Sequence, residues 1–213
     1  MEIAVIGGTG KLGAALARRL AKAGRTVVIG SRSAENAAKA AAELGFGLTG
    51  LSNGDAAAAA ELVIVTVPFA AQEATLLEIA PHVAGKIVVD TTVPLVPPRV
   101  MRVQLPPEGS AALRAQRLLG EGAIVVSGFH NVAAHKLITD QDIACDVLVF
   151  SDDKDARSRV VALADAAGLR GLHGGALANS AAAEAMTSVL IFMNRHYRVD
   201  GAGIRITGEL AGS

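Results

Sequence analysis

The stretch that decides the fold of this chain reads Ile3-Ala4-Val5-Ile6-Gly7-Gly8-Thr9-Gly10-Lys11-Leu12-Gly13. Its first four residues are apolar and favour a buried strand, and a helical pattern follows from Ala14 to Ala23. The glycines have the spacing Gly8-x-Gly10-x-x-Gly13: the first permits a tight turn, the second lets a pyrophosphate approach the backbone, and the third lets helix and strand pack closely. Free N–H groups at the start of the helix would face the phosphates. Residues 7–13 are therefore predicted to form a dinucleotide-binding turn.

The end of the second predicted strand indicates which dinucleotide is bound. The strand Thr26-Val27-Val28-Ile29-Gly30 is followed by Ser31, Arg32 and Ser33. An NAD site normally has an acidic residue here, about 20 residues past the turn, which binds the ribose hydroxyls and repels a 2′-phosphate. The two serines can instead donate hydrogen bonds, and Arg32 can pair with phosphate oxygens or stack on adenine. We therefore predict NADP(H), although either serine could simply cap the next helix and an isolated Arg is usually solvated surface.

Size and composition limit the class of protein. A chain of 213 residues, 51% of them hydrophobic, can form one α/β domain with or without a small appendage. Its 20 basic and 20 acidic residues balance, so no long-range attraction for nucleic acid or an anionic membrane is expected. No apolar run reaches the roughly 18 residues that span a bilayer. The first strand leaves no room for a signal peptide, so we expect a cytoplasmic protein whose single cysteine, Cys145, is a buried thiol.

Strand-like runs alternate with helical segments along the whole chain. Further strands are expected at residues 62–67, 86–90, 123–126 and 146–150, and helices at 10–23, 34–44, 54–60, 70–79, 110–119, 155–167 and 178–195. Alternation with continuous apolar strands predicts an α/β fold: a Rossmann-type, doubly wound, mostly parallel sheet with a small C-terminal helical segment. Residues 1–150 would form the NADP-binding domain. Residues 151–213 would form a small C-terminal α/β segment that completes the substrate cleft and supplies a dimer contact.

A second substrate is expected near the residues that follow the strands, because ligands of a doubly wound sheet lie outside the carboxyl ends of its strands. The relevant segments are 66–69, 90–95, 127–132 and 179–187. Val67 and Pro68 are expected beside the nicotinamide, and His130 could donate a hydrogen bond to a substrate oxygen, with a structural role as its alternative. The other four histidines lack metal-ligand spacing, so no metal site is expected.

The last predicted helix has a rich apolar face. Its residues could line a substrate pocket or a dimer contact, with plain core packing the simpler interpretation for each of them; they are Met186, Val189, Leu190, Phe192 and Met193.

Five segments together resemble the NADPH-dependent F420 reductases over nearly the whole chain: Gly7 to Gly13, Gly30-Ser31-Arg32, Thr66-Val67-Pro68, Ser127-Gly128-Phe129-His130 and Leu177-Ala178-Asn179-Ser180. Members of that family transfer hydride reversibly between NADP(H) and the deazaflavin coenzyme F420, and are homodimers that combine a Rossmann domain with a small C-terminal segment. The resemblance implies that Thr9, Gly10, Leu12, Ser31 and Arg32 hold NADP and that His130 and Thr187 border the deazaflavin ring. It also leads us to expect an Arg and a Ser where this chain has Ala181 and Ala185.

We therefore expect a homodimeric oxidoreductase that transfers hydride between NADP(H) and F420, with small-molecule substrates and no nucleic-acid or membrane partner. Two alternatives stay open: an NADP-dependent reductase of another small acceptor, such as an imine or carbonyl, and a non-catalytic NADP-binding protein. The predicted catalytic residues are His130 and Thr187. The predicted cofactor-binding residues are Gly7, Gly8, Thr9, Gly10, Lys11, Leu12, Gly13, Ser31, Arg32, Ser33, Val67 and Pro68.

Overall fold

The computed structural model describes residues 2–210, which fold around one sheet of eight strands. The strands are β1 (Glu2–Ile6), β2 (Thr26–Ser31), β3 (Thr49–Ser52), β4 (Leu62–Val65), β5 (Ile87–Asp90), β6 (Ile124–Ser127), β7 (Asp146–Phe150) and β8 (Arg170–Gly175). The helices are α1 (Lys11–Lys22), α2 (Ala34–Leu44), α3 (Asn53–Ala59), α4 (Phe69–Ile79), α5 (Ala111–Leu119), α6 (Ala134–Leu137), α7 (Lys154–Ala166) and α8 (Ser180–Tyr197). Short 3₁₀ turns lie at Ala80–His82 and Leu177–Asn179.

The strand order is β3-β2-β1-β4-β5-β6-β7-β8. The first six strands in this order are parallel to one another and have the arrangement of a dinucleotide-binding Rossmann sheet. The predicted doubly wound, mostly parallel sheet is therefore confirmed. β7 runs antiparallel to β6 and pairs with it through Ser127 and Phe150, while β8 is parallel to β7.

Helices cover both faces of the sheet, which explains the continuous apolar strands. Ile3 and Val5 of β1 face the layer of α1, α2 and α7, whereas Ala4 and Ile6 face the layer of α3, α4 and α5. Nearly all residues of the parallel strands β1, β2, β4, β5 and β6 are therefore buried against one layer or the other, and the usual alternation of apolar and polar residues is absent there.

Two strands were not expected from the sequence, β3 and β8. Each contains a glycine on which a helix backbone lies directly: a Cβ on Gly50 would lie 2.2 Å from the backbone of Ala37, and one on Gly171 would lie 2.6 Å from the carbonyl oxygen of Val161. Glycine permits this close packing but weakens the local strand pattern. Residues beyond 150 thus supply α7, β8 and α8. The C-terminal segment therefore contains two helices and also adds strand β8 to the same sheet.

Two further features concern the cysteine and the length of the helices. Cys145 is buried as predicted, and burial raises the pKa of its thiol. Among the helices of the described chain, none is both long and apolar enough to cross a membrane.

Candidate functional site

The glycine turn connects β1 to α1 and is held in place by β2. Gly7 adopts φ +74°, and the N–H groups of Gly7 and Gly8 both donate to the carbonyl of Gly30, at 3.0 and 3.1 Å. The positive φ therefore falls on Gly7, whereas the sequence analysis assigned the tight turn to Gly8. Gly10 precedes α1 and offers no side-chain cap, so the first N–H groups of that helix are free to meet an anion.

Close packing explains the other glycines of the turn. A Cβ on Gly13 would lie 2.5 Å from Thr66 Oγ1 and 2.7 Å from the carbonyl oxygen of Gly7. A Cβ on Gly8 would lie 2.7 Å from the side chain of Ile29. The predicted role of Gly13 in helix–strand packing is thus visible, and Gly8 has a packing role as well.

A cavity of about 390 Å³ opens at this turn. It is formed by the turn, the end of β2, the start of α3, the segment after β4 and one side of α4. Its lining residues are Gly7, Thr9, Gly10, Ser31, Arg32, Asn53, Thr66, Val67, Pro68, Ala71, Ala74, Thr75 and Glu78. We call it the adenosine cavity, because backbone N–H groups at a helix start and an arginine at the end of β2 suit the phosphorylated adenosine half of NADP.

Arg32 has no partner among the described residues, so its guanidinium is available to bind a phosphate. Its side chain is exposed and has no hydrogen bond or ion pair with any of residues 2–210. Ser31 lines the adenosine cavity beside it, whereas Ser33 accepts a hydrogen bond from the N–H of Asn36 at 3.2 Å and caps α2. Ser31 and Arg32 therefore stand together where an NAD site would have a carboxylate, and Ser33 fulfils the capping alternative.

The same cavity contains a polar pair that sequence reasoning missed. Asn53, the first residue of α3, donates from Nδ2 to Glu78 Oε2 at 3.0 Å. Its Oδ1 is buried and has no hydrogen-bond partner among the described residues. Asn53 and Glu78 both line the cavity that contains Ser31 and Arg32, so this pair shapes part of its wall. No local pattern distinguishes Asn53 from an ordinary helix start.

Val67 and Pro68 lie in the adenosine cavity, together with Ser31 and Arg32. They follow β4, on the other side of β1 from β2, and so form the wall of the cavity opposite Ser31 and Arg32. Their expected place beside the nicotinamide stays a prediction. Lys11, Leu12, Gly8 and Gly13 belong to the turn but do not line the cavity.

A second, smaller cavity of about 190 Å³ brings His130 and Thr187 together. It lies between the segment after β6 and one face of α8, and we call it the α8 cavity. Its lining residues are His130, Asn131, Val132, Ala133, His135, Thr187, Leu190, Ile191, Asn194, Gly201 and Ala202. The sequence analysis predicted the two key residues from segments 57 positions apart, and the structure makes them neighbours.

His130 is buried and uncharged at neutral pH. Its Nε2 lies 2.8 Å from Ser127 Oγ, and burial lowers the pKa of the imidazole to about 4. The preceding residue, Phe129, has φ +65°, an uncommon conformation for a side chain of that size. The chain thus turns sharply after β6, and His130 lines the cavity instead of continuing the strand.

Thr187 is held by two adjacent residues of the segment after β6. Its hydroxyl donates to the carbonyl of His130 at 3.1 Å and accepts from Asn131 Nδ2 at 2.9 Å. Asn131, 8% exposed, also donates to the carbonyl of Ala183. Asn131 therefore fixes α8 against the segment after β6, a role that no local sequence pattern indicates.

Buried carboxylates near the carboxyl edge of the sheet were also missed. Asp90 ends β5 and accepts hydrogen bonds from Thr92 and Gln72, and burial raises the pKa of its carboxyl. Glu184 of α8 accepts from the backbone of Ala111 and Ala112, and burial raises its pKa to about 7. In sequence, these residues resemble ordinary strand-end and helix-surface acids.

Comparisons with known proteins agree with this geometry. Residues 2–94 match the family model described as NADP oxidoreductase, coenzyme F420-dependent. The F420-dependent NADP reductase of Methanothermobacter thermautotrophicus is 43% identical over 220 residues, which cover 97% of this chain and 95% of that protein. The reductase of the same name from Methanocaldococcus jannaschii is 40% identical over 222 residues, which cover 97% of this chain and 98% of that protein.

A solved structure gives the same result for the fold. A protein from Arthrobacter sp. FB24, described as a candidate F420-dependent NADP reductase, superposes with a TM-score of 0.85 at 27% identity. The superposition covers 97% of this chain and 99% of that one. Because the curated relatives are similar over nearly their full length, the chain belongs to the family of F420-dependent NADP reductases.

Proposed function

We propose that this protein transfers hydride between NADP(H) and the deazaflavin coenzyme F420. The observation that carries the proposal is the full-length similarity to F420-dependent NADP reductases in a chain whose glycine turn opens onto a cavity edged by Ser31 and Arg32. The nicotinamide donates or accepts the hydride, and the deazaflavin is its partner in either direction. The protein holds the two rings close together and excludes water.

The test is a direct assay. NADPH mixed with oxidised F420 should lose the deazaflavin's visible absorption only when the protein is present. Imine and carbonyl acceptors, offered in place of F420, test the reductase alternative. Tight NADPH binding with no turnover of any acceptor would contradict the proposal and favour a non-catalytic binding protein.

The NADP half of the site is proposed in the adenosine cavity. Gly7, Thr9 and Gly10, with the N–H groups of Lys11, Leu12 and Gly13 at the start of α1, would bind the pyrophosphate. Ser31 and Arg32 would bind the 2′-phosphate, with Ser33 holding the start of α2 beside them. Val67 and Pro68 would close the opposite wall. Gly8 would keep the turn close to β2.

The deazaflavin half is proposed at the α8 cavity, where His130 and Thr187 meet. Nε2 of His130 is engaged by Ser127, so Nδ1 is the ring nitrogen left for a substrate oxygen. A neutral imidazole can donate or accept there without placing a charge beside the reacting carbon. Thr187 would border the ring, and the apolar side chains of Val132, Leu190 and Ile191 would limit access of water.

The two halves support the division proposed from the sequence. The lining of the adenosine cavity falls within residues 7–78, inside the proposed NADP-binding domain 1–150. The α8 cavity combines residues 130–135 with residues 187–202, so the segment 151–213 would complete the second site. We further propose a cytoplasmic protein with no nucleic-acid partner, in keeping with its zero formal net charge.

A homodimer is proposed through the exposed face of α8. Its large apolar side chains are between 37% and 65% exposed; they are Met186, Val189, Phe192, Met193 and Tyr197. Core packing was the simpler prediction for Met186, Val189, Leu190, Phe192 and Met193, and of these residues Leu190 alone is buried. A contiguous apolar stripe on a helix usually marks a protein contact, and the family resemblance supports a second copy of the chain as the partner.

A further inference from the structure

Glu184 is a buried carboxylate to which the proposed reaction assigns no role. It is 1% exposed, and no Lys or Arg of residues 2–210 pairs with it. Burying a carboxylate away from any cation costs free energy unless hydrogen bonds satisfy its oxygens. Glu184 lies in α8 one turn before Thr187, so its hydrogen bonds can influence where Thr187 is placed.

Both carboxylate oxygens of Glu184 bind the start of α5. Oε2 accepts from the N–H of Ala111 at 2.6 Å and Oε1 accepts from the N–H of Ala112 at 3.1 Å. These are the first two residues of α5, whose N–H groups have no partner within the helix and favour a negative charge. One turn earlier in α8, Ser180 Oγ donates to Ser110 Oγ at 2.9 Å. The two contacts tie α8 to α5 at one point.

The other side of this point leads to the dinucleotide-binding sheet. Gln72 Nε2 donates to the carbonyl of Ala111 at 2.9 Å and to Asp90 Oδ2 at 2.7 Å. Gln72 belongs to α4 and follows Ala71, which lines the adenosine cavity. A buried polar network therefore connects α4 and β5, on the NADP side, with α8, on the side of His130 and Thr187.

Thr187 lies three residues after Glu184, so the two residues are neighbours along α8. Asn131 holds the helix from one direction through Ala183 and Thr187, and Glu184 holds it through α5. A shift of roughly 1 Å between reacting groups is enough to slow catalysis strongly. The helix that carries Thr187 must therefore be fixed relative to the sheet that carries the dinucleotide.

We propose that Glu184 is a positioning residue for the second substrate: by accepting the N–H groups of Ala111 and Ala112, it fixes α8, and with it Thr187, against the dinucleotide-binding sheet. The proposal rests on the proposed function, because it names F420 as that substrate. Glu184 touches neither substrate in this account and acts through Thr187.

The test replaces Glu184 with an isosteric amide. Glu184→Gln turns one N–H acceptor into a donor that opposes the N–H of α5. Burial raises the pKa of Glu184 to about 7, so the assay is run about one to two pH units above that value, where the carboxylate is ionised. The KM for F420 should then rise about five- to tenfold, the size expected for loss of a charge-assisted hydrogen bond. The KM for NADPH should change by less than about twofold, because no residue of α5 or α8 lines the adenosine cavity. Glu184→Asp, which keeps the carboxylate on a shorter side chain, should recover part of the F420 affinity.

Two further measurements separate positioning from general stability. Asp153→Ala removes the cap of α7, whose carboxylate accepts from Ala156 N–H at 2.8 Å, and should leave the KM for F420 unchanged. In the ligand-free protein, Glu184→Gln should speed hydrogen exchange of the Ala111 and Ala112 amides and move the NMR resonances of Thr187.

The outcomes are distinct. Equal rises in both KM values, or the same effect on F420 from Asp153→Ala, would overturn the proposal. If the wild-type protein does not turn over F420, the proposed function fails. The NMR resonances of the ligand-free protein still show whether Glu184 positions Thr187. Unmoved Thr187 resonances in Glu184→Gln would show that Glu184 does not position that residue.

Discussion

Arg32 and His130 show how much one side chain depends on its surroundings. Arg32 has no partner among the described residues and faces a cavity, so its five donors are available to a phosphate. His130 is bonded to Ser127 and buried, so it stays neutral across the physiological pH range. In the proposed site, Arg32 would supply charge to the 2′-phosphate and His130 would supply a hydrogen bond without charge.

Arg32→Ala should weaken NADPH binding by about 1–3 kcal/mol, because a charge-assisted contact to the 2′-phosphate is lost. NADH binding, which lacks that phosphate, should change far less. Isothermal titration calorimetry with both nucleotides measures the difference. Arg25→Ala removes an exposed arginine from the opposite end of β2 and is the matched control. Equal losses for NADPH and NADH would refute the assignment of Arg32.

His130→Ala should lower turnover of F420 while the Kd for NADPH stays within about twofold, because the imidazole lies in the α8 cavity and not in the adenosine cavity. Steady-state kinetics and NADPH titration separate the two effects. His82→Ala, at an exposed position in the 3₁₀ turn after α4, should change neither quantity. Unchanged turnover in the His130 variant would leave it a structural residue.

At the scale of elements, short helices and strands are joined by polar contacts between their ends. Glu184 of α8 caps α5, and Gln72 of α4 connects α5 to Asp90 of β5. Thr66 shows the same principle after β4, since its hydroxyl donates to the carbonyl of Ile6 at 2.8 Å. Its side chain thus satisfies a backbone carbonyl at the end of β1.

The junction of α5 and α8 should give folding stability a characteristic pH dependence. The pKa of Glu184 is raised from 4.5 to about 7 by burial. Between these values the unfolded chain releases a proton that the folded protein retains, so Glu184 reduces stability as pH rises from about 4.5 to 7. Asp90, whose pKa is also raised, acts in the same direction. His130, whose pKa is lowered to about 4, acts in the opposite direction.

Urea unfolding of wild type and Glu184→Gln across this pH range isolates the contribution of Glu184. The stability of the wild type relative to the variant should fall as pH rises from about 4.5 to 7 and then level off. The contribution of His130 largely cancels in this difference, whereas Asp90 interacts electrostatically with Glu184, so the difference reports the titration of the coupled pair. A difference independent of pH would contradict the prediction, because it would mean that folding does not raise the pKa of Glu184.

At the scale of the whole molecule, β7 and β8 enlarge a six-stranded parallel sheet. β7 meets β6 at a single residue pair, Ser127 with Phe150, and runs alongside the segment after β6. A Cβ on Gly128 would lie within 4 Å of Val147, Leu148 and Val149. β7 therefore packs beside the segment that carries His130, whose ring centroid lies 6.3 Å from that of Phe150, and α8 forms one wall of the α8 cavity. The exposed apolar stripe of α8 remains available for a second copy of the chain.

Val189→Glu should convert a dimer to a monomer, because a carboxylate in the centre of the α8 stripe would be buried without a partner in the contact. Size-exclusion chromatography with light scattering measures the mass. Leu77→Glu places the same charge on an exposed apolar position of α4 and should leave the mass unchanged. A wild-type monomer at micromolar concentration would contradict the proposed homodimer.

The parallel core and the dinucleotide turn follow from the sequence because their signals are local. Continuous apolar strands, the glycine spacing and the Ser31-Arg32 pair each lie within a few residues, so they can be recognised before any tertiary contact is known. Tertiary structure alone decided the rest. Ala111 and Glu184 are 73 residues apart, and Asn131 and Thr187 are 56 apart, so their hydrogen bonds exist only after the chain has folded. The strands β3 and β8 form because glycines let helices pack directly on them, a gain in burial that no local strand pattern records.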